Sequence, residues 1–201
     1  MATSVVQIWN MALGFLKNTN SVQAENENSL EAKQCRIYYD TALGVVLRGH
    51  LWGFAKKQST LALTGTPPTG WKFQYIYPTD AIKVGRIFNP ADPQGLCFPK
   101  VDFEVAQNPN GNGKVIWTNL KEAQLIYGIE VTDTGQWTPD FDYALALFLG
   151  VQLALSLANN AQRSGDLLNL YFAFVNTAQV NSTREGTKNV NLEASQISAR
   201  R

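Results

Sequence analysis

The sequence predicts an α+β protein in which helices from both ends of the chain form one discontinuous bundle around an inserted antiparallel β domain. Apolar residues have helical spacing near both ends of the chain and alternate with polar residues through its middle. Packing the apolar faces of both ends together would bury all of them. We therefore assign residues 1–55 and 138–180 to the bundle, 56–137 to the β domain, and 181–201 to a flexible C-terminal arm.

The first two helices are predicted from their apolar faces. The first spans about residues 4–17 and, after a polar linker, Ser29 can cap a second helix that runs to near Arg48. Gly49 then supplies the backbone freedom that ends a helix. The face of the first helix comprises Val5, Ile8, Trp9, Ala12, Phe15 and Leu16. The face of the second comprises Ala32, Cys35, Tyr39, Ala42, Leu43, Val46 and Leu47.

An aromatic corner follows Gly49 and joins the helical part to the β part. Five residues are assigned to the bundle and this structural joint: Trp9, Tyr39, His50, Trp52 and Phe54. His50 is the only histidine, and no sequence signature places a nucleophile or a carboxylate beside it. We therefore interpret His50 as a structural residue that bonds a carbonyl at the end of the second helix.

The middle of the chain shows strand patterns separated by turn residues. Bulky residues at positions 71, 73, 75 and 77 alternate with Lys72, Gln74 and Ile76, which predicts a strand with one bulky face. Further strands are predicted at 81–88, 101–106, 114–118 and 123–130. The Pro- and Gly-rich separators, such as the one at 108–113, are typical of turns. The spacing predicts a small antiparallel sheet or sandwich.

Helical spacing returns at Thr138, which can cap a third helix with Pro139 in its first position. Its predicted apolar stripe comprises Phe141, Ala144, Leu145, Phe148, Leu149, Gln152, Leu155 and Ala158. The sequence Ser-Gly-Asp at 164–166 interrupts the pattern, and a fourth helix is predicted at 166–180. Residues 181–201 contain no aromatic residue, so we expect this arm to be extended or disordered in the isolated protein.

Composition limits the environment and the partners. The chain has 201 residues, and 45% of them are hydrophobic. Its charges are scattered and sum to only +1, which argues against a surface that binds nucleic-acid phosphates. We expect no signal peptide, because the N-terminus lacks a basic region and a cleavage site. The most apolar run, 143–158, is shorter than the ~20 residues that span a bilayer, so we expect no membrane partner. Cys35 is predicted to be a buried free thiol in a reducing cytoplasm.

Few residues are candidates for chemistry. One histidine and two distant cysteines give no zinc-site spacing, and no phosphate-binding loop or nucleophile motif is present, so we expect no catalytic residue, no metal and no cofactor. Two carboxylate pairs, Asp140 with Asp142 and Asp102 with Glu104, leave open a cell-wall glycan hydrolase. The aromatic strand leaves open a carbohydrate- or nucleic-acid-binding module. We favour a structural interpretation: a helix cap, a solvated strand face and ordinary sheet packing.

Positive charge gathers mildly in the C-terminal arm. Its basic residues outnumber Glu185 and Glu193, and we predict that they bind an acidic partner surface: Arg184, Lys188, Arg200 and Arg201. The arm would then become ordered when it docks.

Five segments occur in an order that is shared with a known family. They are WNMAL at 9–13, the second helix from 32 through 48, HLWGFA at 50–55, the strand and turn from GWKFQY to YPTD at 70–80, and the third helix at 141–158. Together they cover about residues 5–180, and this ordered set resembles the tail tubular protein A family. That family comprises the head-to-tail adaptors of short-tailed bacteriophages.

The resemblance implies a virion protein of the phage tail that is not an enzyme and is assembled in the host cytoplasm. Its subunits, commonly twelve, form a ring beneath the portal, with the helical bundles side by side, the β domain toward the tail nozzle protein and the C-terminal arm along the portal protein. DNA passes through the ring without specific binding, which suits the near-neutral charge. The subunit can be monomeric before assembly.

Overall fold

The computed structural model describes residues 4–17, 20–91, 101–109, 111 and 113–185, with side chains described as far as residue 178. The helices are α1 (Val5–Phe15), α2 (Leu30–Gly49), α3 (Pro139–Ser156) and α4 (Ala161–Glu185). The strands are β1 (Lys56–Thr60), β2 (Phe73–Ile76), β3 (Ala81–Phe88), β4 (Phe103–Gln107), β5 (Lys114–Thr118) and β6 (Gln124–Ile129). The prediction of an α+β protein with antiparallel strands is confirmed.

Local capping explains where the first two helices begin. Ser4 and Gln7 form a reciprocal capping box at the start of α1, with N···O distances of 2.8 and 3.2 Å. Ser29 caps α2, as predicted, because its hydroxyl accepts a hydrogen bond from the Ala32 amide. All seven residues of the predicted α2 face are buried, and the buried Cys35 is a free thiol, as predicted. Burial raises the pKa of that thiol to about 12.

Side chains of α1 and α2 hold the polar linker between them by hydrogen bonds to its backbone. The Asn10 side chain both donates to the Val22 carbonyl and accepts from the Val22 amide, each at 2.8 Å, and Val22 is buried in the helical core. The Arg36 guanidinium donates to the carbonyls of Glu25 and Glu27. These bonds satisfy peptide groups that a polar segment would otherwise leave to water.

Helix α3 lies at the centre of the helical part and contacts α1, α2 and α4. Its predicted apolar stripe is therefore only part of its buried surface, because Leu147, Leu153 and Ala154 are also fully buried. Three residues of that stripe were placed wrongly: Leu155 is 53% exposed, Gln152 is half-buried, and Ala158 is exposed in the turn after α3. A helix surrounded by three others buries most of its circumference, so one stripe does not describe it.

The boundaries of α4 differ from the prediction at both ends. The helix begins at Ala161, so residues 164–166 do not interrupt it; the turn lies at 157–160, where Asn159 has a positive φ and Asn160 accepts from the Arg163 amide. The Ser164 hydroxyl donates to the Val151 carbonyl of α3 at 3.0 Å. The helix also continues to Glu185, five residues into the predicted arm, because no helix breaker precedes Gly186. The rest of the arm, 186–201, lies outside the described residues.

The strands form two three-stranded antiparallel sheets, with orders β1-β6-β3 and β2-β5-β4. Strands β3 and β5 have the predicted bounds. After β1 the chain passes from the first sheet to the second: the Leu61 amide bonds the Ala123 carbonyl, and the Thr64 amide bonds the Gln74 carbonyl. The two sheets share one hydrophobic core, made of Leu61, Tyr75, Ile87, Ile116, Ala123, Leu125 and Tyr127.

One polar side chain of the predicted aromatic strand is buried, although the alternating pattern places it on the exposed face. Gln74, expected on the polar face, is 2% exposed. Its side-chain oxygen accepts a hydrogen bond of 2.8 Å from the indole N–H of Trp117 on β5. A polar side chain can be buried without a large cost when it has such a hydrogen-bond partner. The alternation of residues along β2 could not predict this burial, because the partner Trp117 lies on another strand.

Gly85 marks a β-bulge in β3, where the pairing with β6 shifts register between Val84 and Arg86. A Cβ atom added at Gly85 would lie 2.8 Å from the Ile126 carbonyl oxygen and 2.8 Å from a methyl group of Leu51. We expect Gly85→Ala to lower the free energy of unfolding by about 1–3 kcal/mol, measured by urea denaturation, because backbone must move.

Gly44 on α2 supplies the matched control for this prediction. A Cβ atom there meets nothing within 4 Å, so Gly44→Ala should raise the free energy of unfolding by about 0.5–1 kcal/mol. Equal effects of the two alanines would contradict the packing assigned to Gly85.

Candidate functional site: the joint between helices and sheets

The chain crosses between the helical part and the β part twice, and a tryptophan anchors each crossing. The indole N–H of Trp52 donates to the Val46 carbonyl at 3.0 Å, and that of Trp137 donates to the Val131 carbonyl at 2.9 Å. Both acceptors lie six residues upstream, and both bonds are buried. A short 3₁₀ turn accompanies each tryptophan. Each crossing is thus fixed by a buried ring and a satisfied polar group.

Phe141 connects the two crossings. Its ring is 0% exposed and makes edge contacts with Trp52, Phe54 and Trp137, with ring centroids 5.2, 5.0 and 5.0 Å apart. Trp52 and Phe54, assigned to the joint from the sequence, therefore lie there. The sequence pattern did not identify Trp137 or Phe141 as their partners, because these two residues lie more than 80 positions later in the chain, after the whole β part.

Trp9 and Tyr39 lie inside the helical part and not at the aromatic corner. Their rings pack edge to face, with centroids 6.0 Å apart. The indole N–H of Trp9 and the hydroxyl of Tyr39 are buried without a hydrogen-bond partner among the described residues. Burial, followed by the charges of Glu25, Asp40 and Asp142, raises the pKa of Tyr39. Tyr39 is thus a neutral phenol in an apolar setting.

The predicted role of His50 is not what the structure shows. The hydrogen bond to a carbonyl at the end of α2 that was predicted for His50 is made by Lys83: its ammonium group on β3 donates to the Gly49 carbonyl at 2.9 Å. The Nε2 atom of His50 is buried and has no hydrogen-bond partner among the described residues, while its ring packs edge to face on Trp52 at 5.3 Å. Sequence reasoning missed Lys83 because it lies 34 positions along the chain.

Two cations face His50 across this corner, and they give the joint a pH dependence. Burial first, then the positive charges of Lys83 and Lys56, lowers the pKa of His50 below its ordinary value of 6.5. Below pH 6.5 the unfolded chain therefore binds a proton that the folded chain resists, so stability should fall as pH falls from 6.5 toward the lowered pKa.

We expect His50→Phe to flatten the stability profile in this pH window, in thermal melts recorded at pH 7.5, 6.5 and 5.5. Lys83→Met retains the histidine and removes the larger of the two charge effects, which raises the folded-state pKa of His50 toward 6.5, so the decline should be smaller and should end at a higher pH. An unchanged profile in the phenylalanine variant would show that other groups cause the decline.

A small pocket opens at the same joint and has a cavity volume of about 290 Å³. The pocket is lined by residues of the loop after α2, of the start of α3 and of α4. These residues are Trp52, Gly53, Phe54, Thr138, Pro139, Asp140 and Ala178. Asp140 is exposed and is the only charged residue among the described residues of the lining. The pocket can take an apolar side chain that has a cation beside it.

The carboxylate pairs considered for catalysis do not face a common cleft. Asp140 borders the pocket, whereas Asp142 is 6% exposed within the helical part. Residues two positions apart on a helix do not face each other. Asp102 and Glu104 are both exposed, beside or within β4. Within the described ranges, no group of three histidine, cysteine or acidic residues is placed to hold a metal ion.

The remaining predicted binding residues lie elsewhere or outside the described part of the chain. Arg184 is in the last turn of α4, and its side chain is not described. Lys188, Arg200 and Arg201 lie beyond the described residues. In the aromatic strand, Tyr75 is buried and Phe73 and Tyr77 pack against the sheet core, which explains the pattern by packing.

Comparison with known proteins gives no family assignment, since no protein-family model and no curated protein matches the sequence. Among the helices that the structure describes, none is long and apolar enough to cross a membrane. The fold and the joint therefore carry the functional argument.

Proposed function

We propose that the chain is a non-enzymatic virion protein, a head-to-tail adaptor of a short-tailed phage that forms a ring between the portal protein and the tail nozzle protein. In this proposal the helices from both ends of the chain act as one bundle, and the inserted β domain faces the nozzle. DNA leaves through the central channel, which needs no strongly basic lining. The supporting sequence argument is the ordered set of segments that resembles tail tubular protein A.

The observation that carries the proposal is the tryptophan-anchored joint. A protein that connects two larger assemblies must hold two binding surfaces at a fixed relative orientation. Here Trp52 and Trp137 fix both crossings, and Phe141 packs against each of them. This packing supports a fixed orientation between the surfaces that the helical part and the β part would present.

An exposed apolar stripe on α2 supports the formation of a ring. Leu30, Ile37 and Val45 are 62%, 61% and 43% exposed and lie on the side of the helix opposite its buried face. Exposed apolar side chains on one side of a helix favour contact with a neighbouring subunit. In the proposed ring, the helical part of a neighbouring subunit covers this stripe.

The deciding experiment compares the mass of the purified protein alone with its mass after mixing with portal rings. Deleting residues 186–201 should leave α4 and the fold intact, because the deletion begins after Glu185. It should weaken portal binding by at least about 100-fold, since the arm is expected to supply the charged contacts that become ordered on docking.

A full-length variant separates the charge of the arm from its length. Replacing Lys188, Arg200 and Arg201 with glutamine keeps the arm but removes most of its positive charge. This variant should bind the portal more weakly, with a reduced dependence on salt. Full portal binding by the truncated protein would remove the arm from the proposal. Failure of the intact protein to associate with any portal ring would remove the adaptor function itself.

A further inference from the structure

The pocket at the joint has the features of a peptide-binding site for one or two side chains. Its volume of about 290 Å³ is at the lower end of the roughly 300–1,000 Å³ of small-molecule sites. The lining includes the apolar rings of Trp52 and Phe54 together with the exposed carboxylate of Asp140. The complementary ligand is a large aliphatic side chain with a cation nearby.

The chain carries such a sequence at its own end. The last five residues, 197–201, read Ile-Ser-Ala-Arg-Arg, so one β-branched aliphatic residue precedes two guanidinium groups. Arginine is suited to a carboxylate partner because its planar fork can donate two parallel hydrogen bonds. Apolar character and charge both match the pocket.

The length of the chain permits this contact. Helix α4 borders the pocket at Ala178 and ends seven residues later at Glu185, about 10 Å further along its axis. The eleven residues 186–196 can span up to roughly 36 Å, which is more than the return distance. A tether of this length gives an effective concentration of about millimolar, so a weak intrinsic affinity suffices.

We infer that, in the unassembled chain, the pocket beside Trp52 binds residues 197–201 of the same chain, with Ile197 against the rings of Trp52 and Phe54 and the two arginines against Asp140. The biological meaning of this contact rests on the proposed function: the arm that reaches the portal is held on its own subunit until docking. Portal contacts with the same arginines then compete with Asp140 and release the arm.

The test uses the full-length protein alone. A photo-crosslinking residue, benzoylphenylalanine, replaces Ile197, and mass spectrometry identifies the captured peptides after illumination. We expect capture within one chain, at residues 52–54 and 138–140. Asp140→Lys should reduce that capture at least fivefold, and adding Arg200→Glu and Arg201→Glu to Asp140→Lys should restore it.

Glu122→Lys is the matched control, since it makes the same change of charge at an exposed turn between β5 and β6. This variant should leave capture unchanged, and circular dichroism confirms that each variant is folded. Capture that spreads over the surface, that ignores the charge at Asp140, or that yields products of twice the mass would overturn the inference. None of these outcomes involves a portal ring, so the adaptor proposal is judged separately.

Discussion

Replacing Phe141 with alanine is expected to lower the free energy of unfolding by about 3–5 kcal/mol, measured by urea denaturation. The ring is fully buried and contacts Trp52, Phe54 and Trp137, so its removal leaves a cavity lined by three aromatic rings. The two tryptophan rings are themselves held by buried hydrogen bonds, which limits how far they can collapse into the cavity.

Phe141→Leu is the control for this prediction, because it retains most of the apolar volume and removes the edge-to-face contacts. We expect it to cost about 1–1.5 kcal/mol. A loss below about 1 kcal/mol in the alanine variant would mean that the joint repacks freely. The rigid connection on which the proposed function depends would then lose its support.

Replacing Tyr75 with alanine is the second large effect, and it tests the core between the two sheets. The side chain is 1% exposed, and its hydroxyl donates to the Leu120 carbonyl at 2.9 Å. Loss of the ring should lower the free energy of unfolding by about 3–5 kcal/mol. Tyr75→Phe removes only the hydroxyl and should cost about 1 kcal/mol, since the Leu120 carbonyl loses a partner.

The two alanine variants together show whether the helical part and the β part unfold as a unit. If they do, unfolding should remain a single transition in each variant, seen equally by helical circular dichroism and by tryptophan fluorescence. Separate transitions after Tyr75→Ala alone would mean that the sheets melt independently of the helices. A separate melting step would contradict the coupling that we assign to the joint.

The local features of the fold could be predicted from the sequence, because the interactions that produce them are close in sequence. The α2 face and the caps at Ser29 and Thr138 depend on neighbours within a few positions, although Thr138 makes no side-chain capping bond. The full burial of α3 depends on three other helices. The burial of Gln74 depends on Trp117, which lies 43 positions away. No periodicity records such contacts.

The joint was predictable in part for the same reason. Trp52 and Phe54 were identified because large aromatic residues follow a helix-ending glycine. Their partner Phe141 is distant in sequence, although the position of Trp137 just before the Thr138–Pro139 helix start was an available signal. The exchange of roles between His50 and Lys83 had no sequence signal, because a lysine in a strand pattern normally points to solvent.

The pair of tryptophan anchors has a mechanical consequence. A body attached to another at one point can swivel in every direction, and attachment at two points leaves rocking about the line that joins them. The bond from Lys83 to the carbonyl of Gly49 adds a direct link between β3 and the end of α2 to the two crossings of the chain. This link restrains such rocking, so a twist applied to the sheets is passed on to the helices.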